Sequence, residues 1–179
     1  MAKKTLLNEK EIHIILHRLA CQLIENHQDF SNTILIGLQP RGIFLANRLV
    51  KLLENEYRIK NIILGKLDIT FYRDDFRRRE DPLIASKTDI NFIIDNKNVV
   101  FIDDVLFSGR SIRAALTAIQ DFGRPKNIEL LVLIDRRFSR HLPIQPDYKG
   151  RQVDVIKNEQ VQVIWKENDK KDMVCILNT

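Results

Sequence analysis

Between Val99 and Ser111 an apolar run ends in two adjacent carboxylates and passes into a hydroxyl-rich turn: Val99-Val100-Phe101-Ile102-Asp103-Asp104-Val105-Leu106-Phe107-Ser108-Gly109-Arg110-Ser111. Ligands of open α/β sheets bind at the carboxyl ends of strands, and this run reads as a strand leading into a helix. A helix start offers unpaired N–H groups and a positive dipole end, and Ser108, Gly109 and Ser111 are small enough to let phosphate oxygens approach that backbone. Asp103 and Asp104 can accept hydrogen bonds from a ribose diol and hold metal-bound waters, because carboxylate oxygens suit Mg²⁺. The bland alternative is that the acids merely end a strand and that Ser108 or Ser111 merely caps a helix.

Positioning such a segment requires strands and helices in alternation, and the chain supplies them. Asn8 and Glu11 have capping-box spacing, and Ile12, Leu16, Leu19, Ala20 and Leu23 repeat at helical period, predicting a helix to about His27. TILIGL predicts a strand, Gln39-Pro40-Arg41-Gly42 a tight turn, and Ile43 to Leu53 a second helix. NIILGKL is the next strand, and the polar stretch from about Thr70 to Asn91 reads as a long mobile loop. Asn98 to Asp103 is the third strand, Ser111 to Phe122 a helix and Ile128 to Ile134 the fourth strand. Beyond Asp135 both periods fade, and His141 to Arg151 reads as an irregular cap. VQVIW and MVCIL read as two C-terminal strands that cover the sheet or pair with each other. The expected fold is α/β, a doubly wound and mostly parallel sheet flanked by helices.

With 179 residues the chain fits one domain, residues 1–179, since domains commonly hold about 100 to 200 residues. An apolar fraction of 44% and a charged fraction of 30% exclude disordered and fibrous classes. No apolar run approaches the roughly 20 residues that cross a bilayer, and MAKKTLLNEKE lacks a signal peptide's apolar stretch, so a cytoplasmic protein with no membrane partner is expected. Cys21 and Cys175 lie far apart without CxxC pairing, suggesting small core residues rather than a disulfide or zinc site. His13 and His17 lack HExxH and a third ligand, and read as surface histidines. A net charge of +5 favours anionic partners, phosphate-rich small molecules or nucleic acid. Arginines gather at Arg73, Arg77, Arg78 and Arg79 and at Arg136, Arg137 and Arg140, where a solvated face is the competing reading.

The 99–111 segment resembles the signature by which type I phosphoribosyltransferases bind phosphoribosyl pyrophosphate (PRPP): four apolar residues, two acids and a hydroxyl-Gly-x-hydroxyl turn. GxxxxGK[ST] is absent, and GLQPRG is not GxGxxG, which disfavours kinase and dinucleotide readings. Nearly the whole chain resembles the PyrR family, pyrimidine operon attenuators that are also uracil phosphoribosyltransferases. The resemblance rests on Ile36-Gly37-Leu38-Gln39-Pro40-Arg41-Gly42-Ile43, on Leu67-Asp68-Ile69-Thr70-Phe71-Tyr72-Arg73-Asp74-Asp75, on the signature, and on Leu142-Pro143-Ile144 with Asp147, Tyr148 and Gly150.

It implies a type I phosphoribosyltransferase fold with C-terminal strands and a small irregular hood, from about residue 136 to 160 plus the N-terminal helix. Implied roles follow residue by residue. Gln39, Pro40, Arg41 and Gly42 meet pyrophosphate; Arg73 arrives when its loop closes; Asp103 and Asp104, with Val105, Leu106, Phe107, Ser108, Gly109, Arg110 and Ser111, hold PRPP, and the two acids hold Mg²⁺ through water. Asp103, Asp104, Arg73 and Arg41 are the expected catalytic groups. Relatives that take 6-oxopurines usually carry an aspartate where this chain has Phe107, so a pyrimidine, uracil giving UMP, is expected. Val105, Ile134, Asp135 and Arg136 are expected at the base pocket, a structural salt bridge being the alternative for Ile134 to Arg136. A homodimer or an assembly of dimers is also implied.

Some PyrR proteins bind pyrimidine leader mRNA. Here the pattern departs: a Thr and a His four residues apart are replaced by His17 and Cys21, and Asp-Arg-Gly-His-Arg by Asp135-Arg136-Arg137-Phe138-Ser139-Arg140-His141. Arg137, Phe138, Arg140 and His141 still offer cations and a stacking plane for RNA. An RNA-binding attenuator with vestigial catalysis, or a phosphoribosyltransferase for another base, are therefore the alternatives.

Overall fold

In a computed structural model, which describes residues 3–73, 86–154 and 159–178, the chain runs β1 (Lys3–Leu7), α1 (Glu9–His27), β2 (Thr33–Leu38), α2 (Gly42–Asn55), β3 (Ile63–Leu67), β4 (Asn98–Leu106), α3 (Arg110–Ala118), β5 (Asn127–Arg136), β6 (Tyr148–Val153), β7 (Glu159–Ile164), α4 (Lys166–Asp169) and β8 (Met173–Asn178). Short 3-10 turns occupy Thr70–Tyr72, Ile119–Phe122 and Arg137–Ser139. Five strands form a parallel sheet in the order β3-β2-β4-β5-β6, and β1, β8 and β7 form a separate antiparallel sheet. All six residues of β2 are buried, as a central strand covered on both faces requires.

The alternation along β4 sorts the core. Val100 and Ile102 join the cluster under α1 and α2, with Leu19, Leu45 and Leu49, while Val99 and Phe101 join the one under α3, with Ile112 and Ala115. Strand side chains alternate with period two, so Asp103 and Asp104 leave β4 toward opposite faces. The chain order reverses between β2 and β4, so the connections after these strands, 39–41 and 107–109, flank the switch point where such sheets bind ligands.

Local chemistry explains most of the elements. Asn8 Oδ1 accepts from the Glu11 amide at 3.0 Å and Glu11 Oε2 accepts from the Asn8 amide at 2.8 Å, the capping box expected from the sequence. Several boundaries differ from expectation. β4 continues three residues past Asp103, because its ladder with β5 extends through Val105 opposite Ile134 and Leu106 opposite Asp135. The helix expected from Ser111 starts at Arg110 and tightens to a 3-10 turn after Ala118. The segment read as an irregular cap contains β6, an edge strand whose sequence YKGRQV buries only Tyr148 and Val153 fully and so shows no period. β1 has no sequence signal of its own and is recruited by β8, and the two C-terminal strands pair with each other. The loop expected between Thr70 and Asn91 is anchored at both ends. Asp68 accepts from the Thr70 amide at 3.0 Å and from the Ser86 amide at 2.8 Å. Residues 74–85, with Arg77, Arg78 and Arg79, lie outside the described residues.

Cys175 is buried as expected, but Cys21 is exposed, its sulfur 3.3 Å from the Tyr57 hydroxyl. His13 and His17 bring their Nε2 atoms to 3.1 Å, and no group of three metal-ligating side chains occurs among the described residues. No described helix is long and apolar enough to cross a membrane.

Arg48 ties α2 to the antiparallel sheet. Its guanidinium lies 4.5 Å from the Trp165 ring centroid and donates to Glu167 (3.0 and 2.7 Å) and to Asp172 (both 2.7 Å). Burial raises the Asp172 pKa, but the Arg48 hydrogen bonds outweigh it and hold the carboxyl below its ordinary value; at Glu167 the Arg48 hydrogen bond is the main cause of a lowered pKa. A depressed folded-state pKa contributes stability above the unfolded value, lost as pH falls through the folded one. Denaturation midpoints of the wild type should therefore drop below about pH 4 more steeply than those of an Arg48→Met variant. At pH 7 that variant should be less stable by about 2–4 kcal/mol, because two partly buried carboxylates lose their cation.

Candidate active site

A cleft of about 280 Å³ opens at the carboxyl end of β4, lined by Arg73, Asp103 and residues 105–112. A larger groove of about 790 Å³ runs along α1 past Ile12, Ile14 and Arg48 and shares no residue with it. The smaller cavity is the one that gathers the carboxylate, hydroxyls, cation and helix terminus.

Its floor is the turn into α3. Gly109 is the helix N-cap at φ 90°, a conformation glycine adopts without a Cβ penalty, and it brings no side chain to cap the helix. A Cβ on Gly109 would also stand 3.2 Å from Ile144 Cδ1, because 142–144 lies against the turn. The His141 amide donates to the Ser108 carbonyl at 3.0 Å. The N-terminus of this nine-residue helix thus enters the cleft with only one long side-chain contact, the Arg110 amide 3.5 Å from Ser108 Oγ, and with Ser111 beside it, a geometry suited to an anion.

The carboxylates divide as the strand period requires. Asp103 is half-buried, lines the cleft, and accepts from the Asp104 amide at 2.9 Å. Asp104 is only 6% exposed, and its Oδ2 has no hydrogen-bond partner among the described residues. Burial pushes the Asp103 carboxyl well above the usual range, the Asp104 charge adds to this, and Arg73 opposes it. Burial likewise raises Asp104, with the Arg41 charge pulling the other way. Each acid therefore has its own arginine, Arg73 on the cleft side and Arg41 on the α2 side.

The turn after β2 comes close to the same strand. Gln39 and Pro40 are joined by a cis peptide, Gln39 donates from Nε2 to the Lys87 carbonyl at 2.6 Å, and Arg41 is exposed at the N-cap of α2 with Nη1 3.5 Å from the Val163 carbonyl. Gly42 packs directly on β4: a Cβ there would lie 2.2 Å from the Ile102 carbonyl oxygen and 2.9 Å from Asp103 Cα. Glycine is what lets the two connections meet.

The residues expected around a base separate. Val105 lines the cleft, whereas Ile134 is fully buried in the core and does not. Asp135 is buried, ion-paired with Arg140 and 3.2 Å from Gln152 Nε2, so the structural salt bridge is real but is made to Arg140. Arg136 places its guanidinium 4.1 Å from the Phe107 ring centroid and donates from Nη2 to the Glu159 carbonyl at 3.1 Å; its Nε has no partner among the described residues. Burial lowers its pKa.

Three contributors were not legible as such in the sequence. Asp68 pins the loop that carries Arg73, Tyr72 donates its hydroxyl to Asp121, and Arg140 binds backbone carbonyls of the signature turn. Only Asp68 had a local signal, an Asx-type spacing to Thr70. The others bridge positions 49 and 34 residues apart.

A family profile described as a phosphoribosyl transferase domain matches residues 3–168. "Bifunctional protein PyrR" of Desulfosudis oleivorans is 43% identical over 177 residues, covering 98% of this chain and 97% of its own length. The chain belongs to the PyrR family. The Bacillus subtilis PyrR is similar at 40% identity over 177 residues, covering 97% and 96% of the two chains. Solved structures show the same fold at far lower identity. A hypoxanthine-guanine phosphoribosyltransferase of Bacillus anthracis superposes with TM-score 0.71 at 18% identity, covering 97% of this chain and 98% of its own. The hypoxanthine enzyme of Trypanosoma cruzi gives 0.72 at 15%, covering 98% and 96%.

Proposed function

We propose that this cleft transfers the phosphoribosyl group of PRPP to uracil, forming UMP and pyrophosphate. The observation that carries this reading is the N-terminus of α3, with glycine at its N-cap, opening beside Asp103 in one cavity. The 5′-phosphate sits on the turn 108–111, Asp103 accepts from the ribose hydroxyls, and the backbone of 39–42 with Arg41 takes the pyrophosphate. Arg73 lies on the Asp103 side and adds positive charge as the bond to pyrophosphate breaks. Cleavage at an anomeric carbon passes through an oxocarbenium-like state, so charge stabilisation and exclusion of water dominate. Arg136 stacks on Phe107 at the end of β5, and Phe107 supplies an apolar ring where a purine nitrogen would find no acid.

The donor set fits Mg²⁺. Asp103 and Asp104 offer only oxygens, one of them buried without a partner, and no third ligating side chain completes a group among the described residues. Mg²⁺ is commonly held in this way, by one or two carboxylates, waters and substrate phosphates. When bound it neutralises charge developing on the leaving pyrophosphate.

A Mg²⁺/PRPP assay across uracil, orotate, hypoxanthine, guanine and adenine tests the reading. Uracil should exceed every other base by at least about 100-fold in kcat/KM, the scale on which even an apolar pocket separates near-isosteric ligands. Equal or better turnover of a purine overturns the uracil assignment, and loss of product on adding EDTA is expected for the metal.

A second reading, binding of pyrimidine leader mRNA, is favoured by Phe138, which is 73% exposed with the Arg137 guanidinium 4.5 Å from its ring centroid. A cation beside a stacking plane suits unpaired RNA bases. Arg137 also pairs with Asp154 at 2.8 Å. A salt-sensitive, UMP-enhanced shift of leader RNA that weakens in Phe138→Ala supports it.

A further inference from the structure

Arg140 was grouped by its sequence context with Arg137, Phe138 and His141 as a surface cation for RNA, but it is turned inward. Its side chain is 18% exposed. Nε donates to the Ile144 carbonyl at 2.9 Å; Nη1 lies within reach of the carbonyls of Leu106 (3.1 Å), Phe107 and Arg136 (3.3 Å); Nη2 donates to Asp135. One guanidinium thus gathers four carbonyls and one carboxylate from β4, from the end of β5 and from the segment behind Gly109.

We infer that Arg140 is a positioning residue that sets the orientation of the phosphate-receiving turn, an inference that rests on the PRPP reading of the cleft. In a planar trans peptide the C=O of one residue and the N–H of the next point in opposite directions. With the carbonyls of Leu106 and Phe107 drawn to Arg140, the amides of Phe107 and Ser108 face away from it. β4 ends at Leu106, so beyond it the sheet ladder no longer imposes that orientation. Arg140 does so instead, and through Ile144 it holds the segment that packs on Gly109. Its charge is matched by Asp135, so it acts by placing the backbone rather than by attracting phosphate directly.

The planar fork is essential to this role. A lysine ammonium has three donors on a single atom and cannot serve acceptors spread over β4, β5 and 144. Arg140→Lys should raise KM for PRPP by about tenfold or more while kcat changes by less than about threefold, since a misplaced binding turn weakens ground-state and transition-state binding alike. Added ethylguanidinium should recover part of the loss in Arg140→Ala. Hydrogen exchange measured by mass spectrometry should show peptides spanning 104–112 exchanging faster in Arg140→Lys, with α1 and β8 unchanged.

A PRPP KM within twofold of wild type, or exchange that rises equally throughout the chain, overturns the inference. The exchange measurement needs no turnover, so it reads the grip of Arg140 even if the wild type proves inactive toward uracil, which would instead remove the proposed reaction. Should Arg140→Ala fail to fold, the lysine variant and its exchange pattern still decide.

Discussion

Asp104→Asn should lower the rate of UMP formation by about 10²- to 10³-fold, the cost of losing one charge stabiliser in a water-poor site, and should at the same time make the protein more stable in the absence of PRPP. Asp104 is 6% exposed, and one of its oxygens has no partner among the described residues. Burial raises its pKa, only partly countered by Arg41. For an acid with a raised folded-state pKa, the associated stability is fully present below the unfolded value and is lost as pH rises through the folded one. The wild type therefore carries the burial cost at neutral pH, and asparagine removes it. The gain should be about 1–3 kcal/mol, or several degrees in Tm for a chain of this size, and should shrink toward pH 4 as Asp104 protonates. Thermal melts at pH 7 and pH 4, paired with initial rates, check both halves. A variant that is inactive but less stable at pH 7 would point to a structural role for Asp104.

Gly42→Ala should cost stability and activity together. A Cβ at this position meets backbone on both sides of contact, the Ile102 carbonyl oxygen at 2.2 Å and Asp103 Cα at 2.9 Å, and backbone cannot turn aside as a side-chain tip can. Either α2 lifts away from β4 or β4 shifts with Asp103, so we expect a loss of about 3–5 kcal/mol and a PRPP KM raised by about 100-fold or more. Gly65→Ala is the control. Its Cβ would meet the tip of Phe92 at 2.7 Å, which can rotate, so about 1 kcal/mol is expected. Urea midpoints and PRPP kinetics of the two variants should differ accordingly; similar midpoints would mean that the close approach at Gly42 is not a constraint.

The parallel sheet and its flanking helices were legible because each carries its own period: Ile12, Leu16, Leu19 and Leu23 for α1, and the buried run Thr33–Leu38 for β2. The core of the candidate site was legible for a related reason. Asp103, Asp104, Ser108 and Gly109 lie within one short stretch of chain, so short-range chemistry alone suggests a strand, a turn and an anion. What could not be read depends on contacts between distant segments. β6 is polar because only its two ends are buried, β1 exists as a partner of β8, and Arg140 looks like any surface arginine until β4 is placed beside it. The base-side residues show the same limit: Ile134 and Asp135 stand at the correct end of β5, yet one faces the core and the other is held by Arg140.

The most direct test of the account is a crystal structure of the protein with UMP bound. The phosphate should lie within hydrogen-bond distance of the amides of residues 108–111, with Asp103 accepting from the ribose hydroxyls and the uracil ring beside Phe107 and Arg136. A nucleotide phosphate bound away from the N-terminus of α3, with Asp103 making no sugar contact, would contradict it.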